Sequence, residues 1–106
     1  MTESEYLIAV DDFLRRIEDA VDALGREDIE LSPGDGKLSI DFEDGSKLIL
    51  SRQRAVQQIW LAEPRGGWHY SAGSGGRWLC DKRGTDLVRD LETLVGARLG
   101  KPVKLE

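Results

Sequence analysis

The chain has 106 residues, of which 40% are hydrophobic and 33% charged, and its formal net charge is −5. This length suits one domain with a single modest core, so residues 1–106 are expected to form one unit. The first 46 residues hold 14 acidic and 4 basic side chains, whereas the remainder hold 6 and 11. Without a concentrated basic surface the chain is not expected to bind nucleic acid, and no apolar run is long enough to span a membrane.

The first predicted element is an amphipathic helix from Ser4 to Leu24. Apolar side chains recur there at alternating steps of three and four residues, which is the spacing of one buried helix face. Ser4 is a suitable N-cap, and Gly25 suits the left-handed turn that ends a helix. The opposite face carries five acidic residues, namely Asp11, Asp12, Glu18, Asp19 and Asp22.

Strand patterns follow this helix. Residues 28–31 are predicted to form a short edge strand, and residues 37–43 alternate apolar and polar side chains as a half-buried strand does. The sequence Glu43-Asp44-Gly45 then indicates a hairpin. A three-residue loop made of these residues keeps Leu48 and Leu50 on the core face, whereas a two-residue loop would turn both outward. The longer loop is therefore expected.

The segment 51–62 ends one strand, turns and begins another. With period two from Val56, the side chains of Gln58 and Trp60 share one face of the second strand, while two aliphatic core residues share the other. The following segment alternates again, so His69 can lie on the same face as Trp60. Indole, amide and imidazole groups on an open face indicate a binding surface. The alternative is that a loop or the C-terminal tail covers Trp60.

The C-terminal part completes the predicted fold. Residues 77–80 are predicted to form a short strand, and residues 86–99 a second amphipathic helix with Thr85 as its cap and Gly100 at its end. The tail beyond Gly100 holds two further apolar residues. The fold class is therefore α+β, a two-layer sandwich. Its N- and C-terminal helices pack on one face of a five- or six-stranded antiparallel sheet, whose other face stays open.

The acidic helix face is a candidate metal site. Glu18 and Asp22 are one helical turn apart and therefore neighbours, with Asp19 beside them. Three further acids follow a tight turn and could extend the same ridge, namely Glu27, Asp28 and Glu30. Carboxylate ligands suit hard cations such as Fe²⁺, Fe³⁺, Mn²⁺, Ca²⁺ or Mg²⁺, but without His or Cys the site is expected to be weak and unselective. The alternative is a solvated helix face on which Arg15 pairs with Asp11, Glu18 or Asp19, and Arg16 with Asp12.

No other chemistry is indicated by the sequence. It contains no nucleophile–base motif, phosphate-binding glycine loop or zinc-ligand spacing, and nothing local supports a catalytic pair of His69 and Cys80. A single cysteine allows no intrachain disulfide, and the acidic N-terminus is unlike a signal or transit peptide. The expected location is the cytoplasm of a bacterium.

Several segments together resemble the frataxin family, in particular its bacterial CyaY type. They are Ser51-Arg52-Gln53, Gln58-Ile59-Trp60-Leu61-Ala62, Gly67-Trp68-His69-Tyr70 and Arg77-Trp78, with the acidic first helix and the hairpin at residues 42–47. The resemblance covers essentially the whole chain. Two positions depart from the family pattern, which usually has Asn in place of Ser51 and Pro in place of Ala55. These departures leave the expected fold unchanged but affect the expected affinity for partners.

The resemblance implies a sandwich fold and weak iron binding along the acidic ridge. The implied ligands are Glu18, Asp19, Asp22, Asp28 and Glu30, with Asp11, Asp12 and Glu27 as outlying members. It also implies a role in iron–sulfur cluster assembly through contact with the cysteine desulfurase and the scaffold protein. The expected contact residues are Gln53, Gln58, Trp60 and His69. Other hard divalent cations are expected to compete with iron.

Two functional classes remain open. The first is an iron-responsive regulator of the assembly machinery that is not an enzyme. The second is an iron-handling protein, which could be a chaperone, a ferroxidase or an oligomeric store. A ferroxidase normally has bridging carboxylates and Glu-x-x-His motifs on facing helices, and the sequence contains none, so the regulator is favoured. The chain is expected to be a monomer, with iron-driven oligomers as the alternative.

Overall fold

Two α-helices pack on one face of a six-stranded antiparallel sheet in the computed structural model, which describes residues 1–106. The helices are α1 (Glu3–Asp22) and α2 (Leu87–Leu99), and the strands are β1 (Ile29–Gly34), β2 (Lys37–Phe42), β3 (Lys47–Gln53), β4 (Gln58–Glu63), β5 (Gly66–Ala72) and β6 (Trp78–Cys80). The strands lie side by side in chain order. The predicted two-layer α+β fold is therefore confirmed. Neither helix is both long and apolar enough to cross a membrane.

The N-cap of helix α1 is Thr2, two residues before the predicted Ser4. The Thr2 hydroxyl accepts a hydrogen bond from the Glu5 backbone N–H at 3.1 Å, and the Glu5 carboxylate accepts one from the Thr2 N–H at 2.7 Å. This reciprocal capping box satisfies two backbone donors, which a cap at Ser4 would not do, so the prediction of Ser4 was wrong.

Tyr6, buried on α1, donates to the Gln58 carbonyl at 2.6 Å and accepts from the Gln53 N–H at 3.1 Å. The helix is thereby tied to the backbones of β3 and β4.

The hairpin between β2 and β3 has the predicted three-residue loop. Ile40 pairs with Leu48, the Phe42 N–H donates to the Ser46 carbonyl at 2.9 Å, and Gly45 takes a φ of +88°. Both Leu48 and Leu50 are consequently buried, as expected for a three-residue loop, which keeps them on the core face.

The first strand is longer than predicted because it continues through Pro33 to Gly34. Proline is tolerated there since β1 is an edge strand, where a missing N–H need not break the ladder.

The alternation of β4 starts at Gln58 and not at Val56. Residues 54–56 form a 3₁₀ turn, Gln57 follows with a left-handed φ of +52°, and the side chain of Val56 is 55% exposed. The placement of Val56 on the face of Trp60 was therefore wrong, because the turn interrupts the strand geometry. From Gln58 onward the predicted alternation holds, with Ile59 and Leu61 buried beneath the helices.

The C-terminal tail lies against the body of the protein. Gly100 ends α2 with a φ of +74°, and Leu105 beyond it is only 4% exposed. The Leu105 N–H donates to a Glu92 carboxylate oxygen of α2 at 2.8 Å. Thr85 does not cap α2 as predicted, because its hydroxyl donates to Asp90 at 2.7 Å instead. The tail lies on the helix side of the sheet, where Leu105 joins the core and Val103 packs against it.

Candidate functional site

The open sheet face brings together the four residues predicted to contact partners. The ladders between β3, β4 and β5 place Gln53 opposite Gln58, and Trp60 opposite His69. The indole and imidazole rings stack with centroids 4.2 Å apart and planes 8° from parallel. The predicted placement of His69 on the face of Trp60 is thus confirmed, and the His69 side chain is exposed while that of Trp60 is partly exposed. That these residues contact partners stays a prediction.

Hydrogen bonds order this surface. The Trp60 Nε1–H donates to Gln58 Oε1 at 2.8 Å, and Gln58 Nε2 donates to Asp81 Oδ2 at 2.6 Å. The Ser71 hydroxyl donates to the other oxygen of Asp81 at 2.8 Å. Neither Ser71 nor Asp81 was predicted to belong to the surface. Period two continued beyond His69 could have found Ser71, whereas Asp81 lies just past the end of β6 and had no sequence signal.

The acidic ridge is divided by the structure into a central part and outlying residues. The central part is a shallow hollow of about 590 Å³ between the end of α1 and strand β1. Its acidic lining residues are Glu18, Asp19, Asp22, Glu27 and Glu30. None of these five carboxylates forms an ion pair within the protein. Glu30 lies on β1, opposite Asp41 in the β1–β2 ladder.

Asp28 is predicted to join the ridge but lies outside this hollow. The Arg26 guanidinium donates to both Asp28 oxygens, at 2.9 and 2.7 Å, and these bonds lower the pKa of that carboxyl. Asp28 instead borders a second hollow with Glu43, Asp44 and Arg98. A paired carboxylate has less free charge to offer a cation, so Asp28 is the ridge residue whose donor capacity is most reduced.

The two acids nearer the start of α1 are also paired. Asp11 forms an ion pair with Arg52 at 3.3 Å, and Asp12 forms one with Arg15 at 3.7 Å. None of the arginine pairs expected on a merely solvated helix face forms, and Arg15 pairs with Asp12 instead. The acids at the end of the helix therefore form no ion pair, and Arg26, the one basic residue that lines their hollow, is held by Asp28.

No three His, Cys, Asp or Glu side chains converge closely enough to form a ready-made metal cage. The hollow offers oxygen donors alone, which suit hard cations, and its carboxylates are mostly exposed to water. A cation bound there would keep most of its water ligands. The donor set thus suits weak binding of a hydrated hard cation.

The comparisons with known proteins identify the class. Residues 1–101 match the family model of the frataxin-like domain. The chain therefore belongs to the frataxin-like family. It is 35% identical to the iron–sulfur cluster assembly protein CyaY of Vibrio cholerae over 97% of both chains. It is 36% identical to the CyaY protein of Azotobacter vinelandii, over 98% of this chain and 94% of that one. Within the family it is thus of the bacterial CyaY type.

Solved structures agree with this assignment. Frataxin from Psychromonas ingrahamii superposes with a TM-score of 0.92 at 27% identity, covering 100% of this chain and 99% of that one. Trimeric frataxin from Saccharomyces cerevisiae, complexed with ferrous iron, superposes with a TM-score of 0.77 at 24% identity, covering 88% and 87% of the two chains. At the lower identity the likeness shows the fold alone.

Proposed function

We propose that this protein is an iron-binding regulator of iron–sulfur cluster assembly and not an enzyme. It binds Fe²⁺ or Fe³⁺ weakly on the acidic ridge and modulates a cysteine desulfurase bound to its scaffold protein. One observation carries the proposal, namely that Glu18, Asp19 and Asp22 line one hollow and none of them forms an ion pair, while Arg26 in the same hollow is paired with Asp28. The relatives named iron–sulfur cluster assembly proteins support the choice of process. A bacterial cytoplasm is the location that fits this role.

The ridge acts through free carboxylates and their field. Glu18, Asp19 and Asp22 would supply the first ligands to iron, with Glu27 and Glu30 across the hollow as further donors. Oxygen-only donors and a mostly hydrated cation predict weak binding in which Mn²⁺, Ca²⁺ and Mg²⁺ compete with iron. The three ridge residues that do not line the hollow, which are Asp11, Asp12 and Asp28, contribute mainly to the long-range field because each is paired with an arginine.

Docking uses two different properties of the molecule. The acidic ridge attracts a basic surface on the desulfurase and accelerates the encounter, since complementary charge acts mainly on association. The open sheet face supplies the short-range contact, where the stacked Trp60 and His69 present aromatic surface with Gln53 beside them. Partly buried aromatic residues are the usual anchors of such interfaces. Bound iron would reduce the ridge charge and thereby couple iron level to docking.

An iron-handling role remains the second candidate. It is favoured only by the fold shared with trimeric yeast frataxin complexed with ferrous iron. A chaperone or oligomeric store would release or accumulate many iron atoms per chain, and a ferroxidase would consume oxygen as it oxidises Fe²⁺. The proposed regulator neither releases or accumulates many iron atoms nor consumes oxygen. It acts as a monomer, in amounts stoichiometric with the desulfurase.

Sulfide production by a bacterial cysteine desulfurase with its scaffold tests the proposal. Assays without oxygen should show that stoichiometric protein changes the rate, and that Fe²⁺ alters the size of this change. The triple variant Glu18→Gln, Asp19→Asn, Asp22→Asn should lose the iron dependence. The variant Glu43→Gln, which removes an exposed acid outside the hollow, should behave as the parent. No effect of the parent protein on the rate at any iron level would contradict the proposal.

A further inference from the structure

The Gln58 amide on the open sheet face has both its polar atoms engaged. Its Oε1 accepts from the Trp60 Nε1–H at 2.8 Å. Its Nε2 donates to Asp81 Oδ2 at 2.6 Å and to Ser71 Oγ at 3.3 Å. An amide nitrogen has two hydrogens to donate, so the Gln58 nitrogen is fully used. Gln58 is therefore poorly suited to contact a partner directly.

Asp81 determines which way this amide points. An ionised carboxylate can only accept hydrogen bonds, so the nitrogen of Gln58 must face Asp81 and the oxygen must face Trp60. The second Asp81 oxygen accepts from the Ser71 hydroxyl at 2.8 Å. The Asp81 backbone N–H donates to the His69 carbonyl at 2.9 Å, which anchors the residue beside β5. The carboxylate is thus held from two sides and fixes the amide.

The orientation of the indole follows from that of the amide. Trp60 is restrained by the hydrogen bond at its nitrogen and by the stack on His69, whose ring planes differ by 8°. The His69 side chain makes no hydrogen bond within the protein and is exposed. The stacked pair therefore presents one fixed aromatic group and one free polar group to a partner.

We propose that Asp81 is a positioning residue of the docking surface. It acts through Gln58 to hold Trp60 flat against His69, and it does not itself contact the partner. The partner contacts the ring pair. Because the indole is already ordered, less conformational entropy is lost on binding. The part of this proposal that concerns binding rests on the proposed function, whereas the part that concerns Trp60 does not.

The indole N–H signals of the three tryptophans in ¹⁵N NMR spectra test the positioning role without any partner. Asp81→Ala should shift the Trp60 signal and speed exchange of its Nε1–H with water by roughly three- to tenfold, as expected for one weakened hydrogen bond. A matched control exists, because Glu63 Oε2 accepts from the Trp68 Nε1–H at 3.0 Å. Glu63→Ala should change the Trp68 signal and leave that of Trp60 in place. Ser71→Ala should weaken the Trp60 restraint in the same direction as Asp81→Ala.

Affinity for the desulfurase–scaffold complex, measured by titration, then tests the docking role. Asp81→Ala should weaken binding several-fold, and Glu63→Ala, which changes the charge equally, should not. An unmoved Trp60 signal in Asp81→Ala and Ser71→Ala would overturn the positioning role. A moved signal with unchanged affinity would overturn the role of Asp81 in docking. A moved signal with no binding even by the parent would refute the proposed function and leave the positioning role standing.

Discussion

Tyr70 lies at the centre of the polar contacts that join α2 to the sheet. Its hydroxyl donates to Asp90 Oδ2 at 2.6 Å, and the same oxygen accepts from Thr85 at 2.7 Å and from Arg83 at 3.2 Å. Arg83 also lies over the Trp68 ring, 3.8 Å from its centroid. Burial raises the pKa of the Tyr70 phenol well above its usual value, and the Asp90 carboxylate raises it further.

This raised pKa predicts a loss of stability in alkali. The folded protein favours the neutral phenol, so the stabilisation is complete below about pH 10, the usual pKa of tyrosine, and is lost as the pH rises above it. Tyr70→Phe should cost roughly 1–3 kcal/mol at neutral pH, because Asp90 loses a donor. The urea concentration at the midpoint of unfolding should fall less steeply for this variant than for the parent between pH 9 and 11, the range around the usual pKa of tyrosine. Parallel curves for the two proteins would contradict the assignment.

Single residues also show what the sequence could not predict. Period-two alternation predicts that Trp60 and His69 share a face, because strand geometry alone decides it. The pairing of Asp28 with Arg26, and the bond of Asp81 to Gln58, depend on side-chain conformations and on where distant segments meet. The acidic ridge was predicted from charges in the sequence, yet which carboxylates stay free depends on the placement of Arg15 on the helix and of Arg26 and Arg52 outside it.

Whole helices and strands were predictable from the sequence where the need to bury one face determined their position. The apolar periodicities of both helices and the position of the Gly45 hairpin follow from the need to bury one face. Local hydrogen bonds decide the details that were missed, such as the Thr2–Glu5 capping box and the turn at residues 54–56. The first strand was predicted to end at residue 31, whereas it continues through Pro33, which an edge strand accommodates.

The C-terminal tail is the element with the largest expected effect on stability for its length. Leu105 is 4% exposed and Val103 is half-buried against the core. Full burial of each side chain contributes at most about 1.5–3 kcal/mol, a sizeable part of the roughly 5–15 kcal/mol that stabilises a domain. Ending the chain after Gly100 should therefore lower the melting temperature by several degrees without changing iron binding.

Point variants separate the side chain from the rest of the tail. Leu105→Ala should reproduce most of the loss in melting temperature, whereas Lys104→Ala, at an exposed neighbouring position, should change it little. Thermal unfolding followed by circular dichroism measures both. An unchanged melting temperature in the truncated protein would show that the tail contributes nothing to the fold.

At the scale of the whole molecule, the acidic ridge and the aromatic docking surface lie on different layers of the fold. The acidic ridge lies on α1 and the turn after it, whereas the aromatic surface lies on the opposite face of the sheet. Charge at long range acts on the rate of encounter and is screened by salt, while packing at short range acts on dissociation. Variants in the two layers should therefore differ in their binding kinetics.

Association and dissociation rates, measured with the desulfurase complex immobilised on a sensor surface, would show this difference. Reversing charge with Glu18→Lys and Asp22→Lys should slow association and reduce its dependence on salt. Trp60→Ala should stay folded, because its ring is outside the core, and should mainly speed dissociation. Unfolding of Trp60→Ala at room temperature would mean that the open face is part of the structural core and not a docking surface.

Iron binding at the ridge is tested most directly by an anaerobic titration with Fe²⁺ followed by backbone NMR. The signals of Glu18, Asp19 and Asp22 should broaden first, those of Asp28 later because of its pairing with Arg26, and those of α2 last. Conversion of Glu18, Asp19 and Asp22 to amides should remove most of the effect and leave the fold intact, since exposed charges contribute little to stability. First losses around His69 or Cys80 would indicate a site with nitrogen or sulfur ligands and would contradict the account.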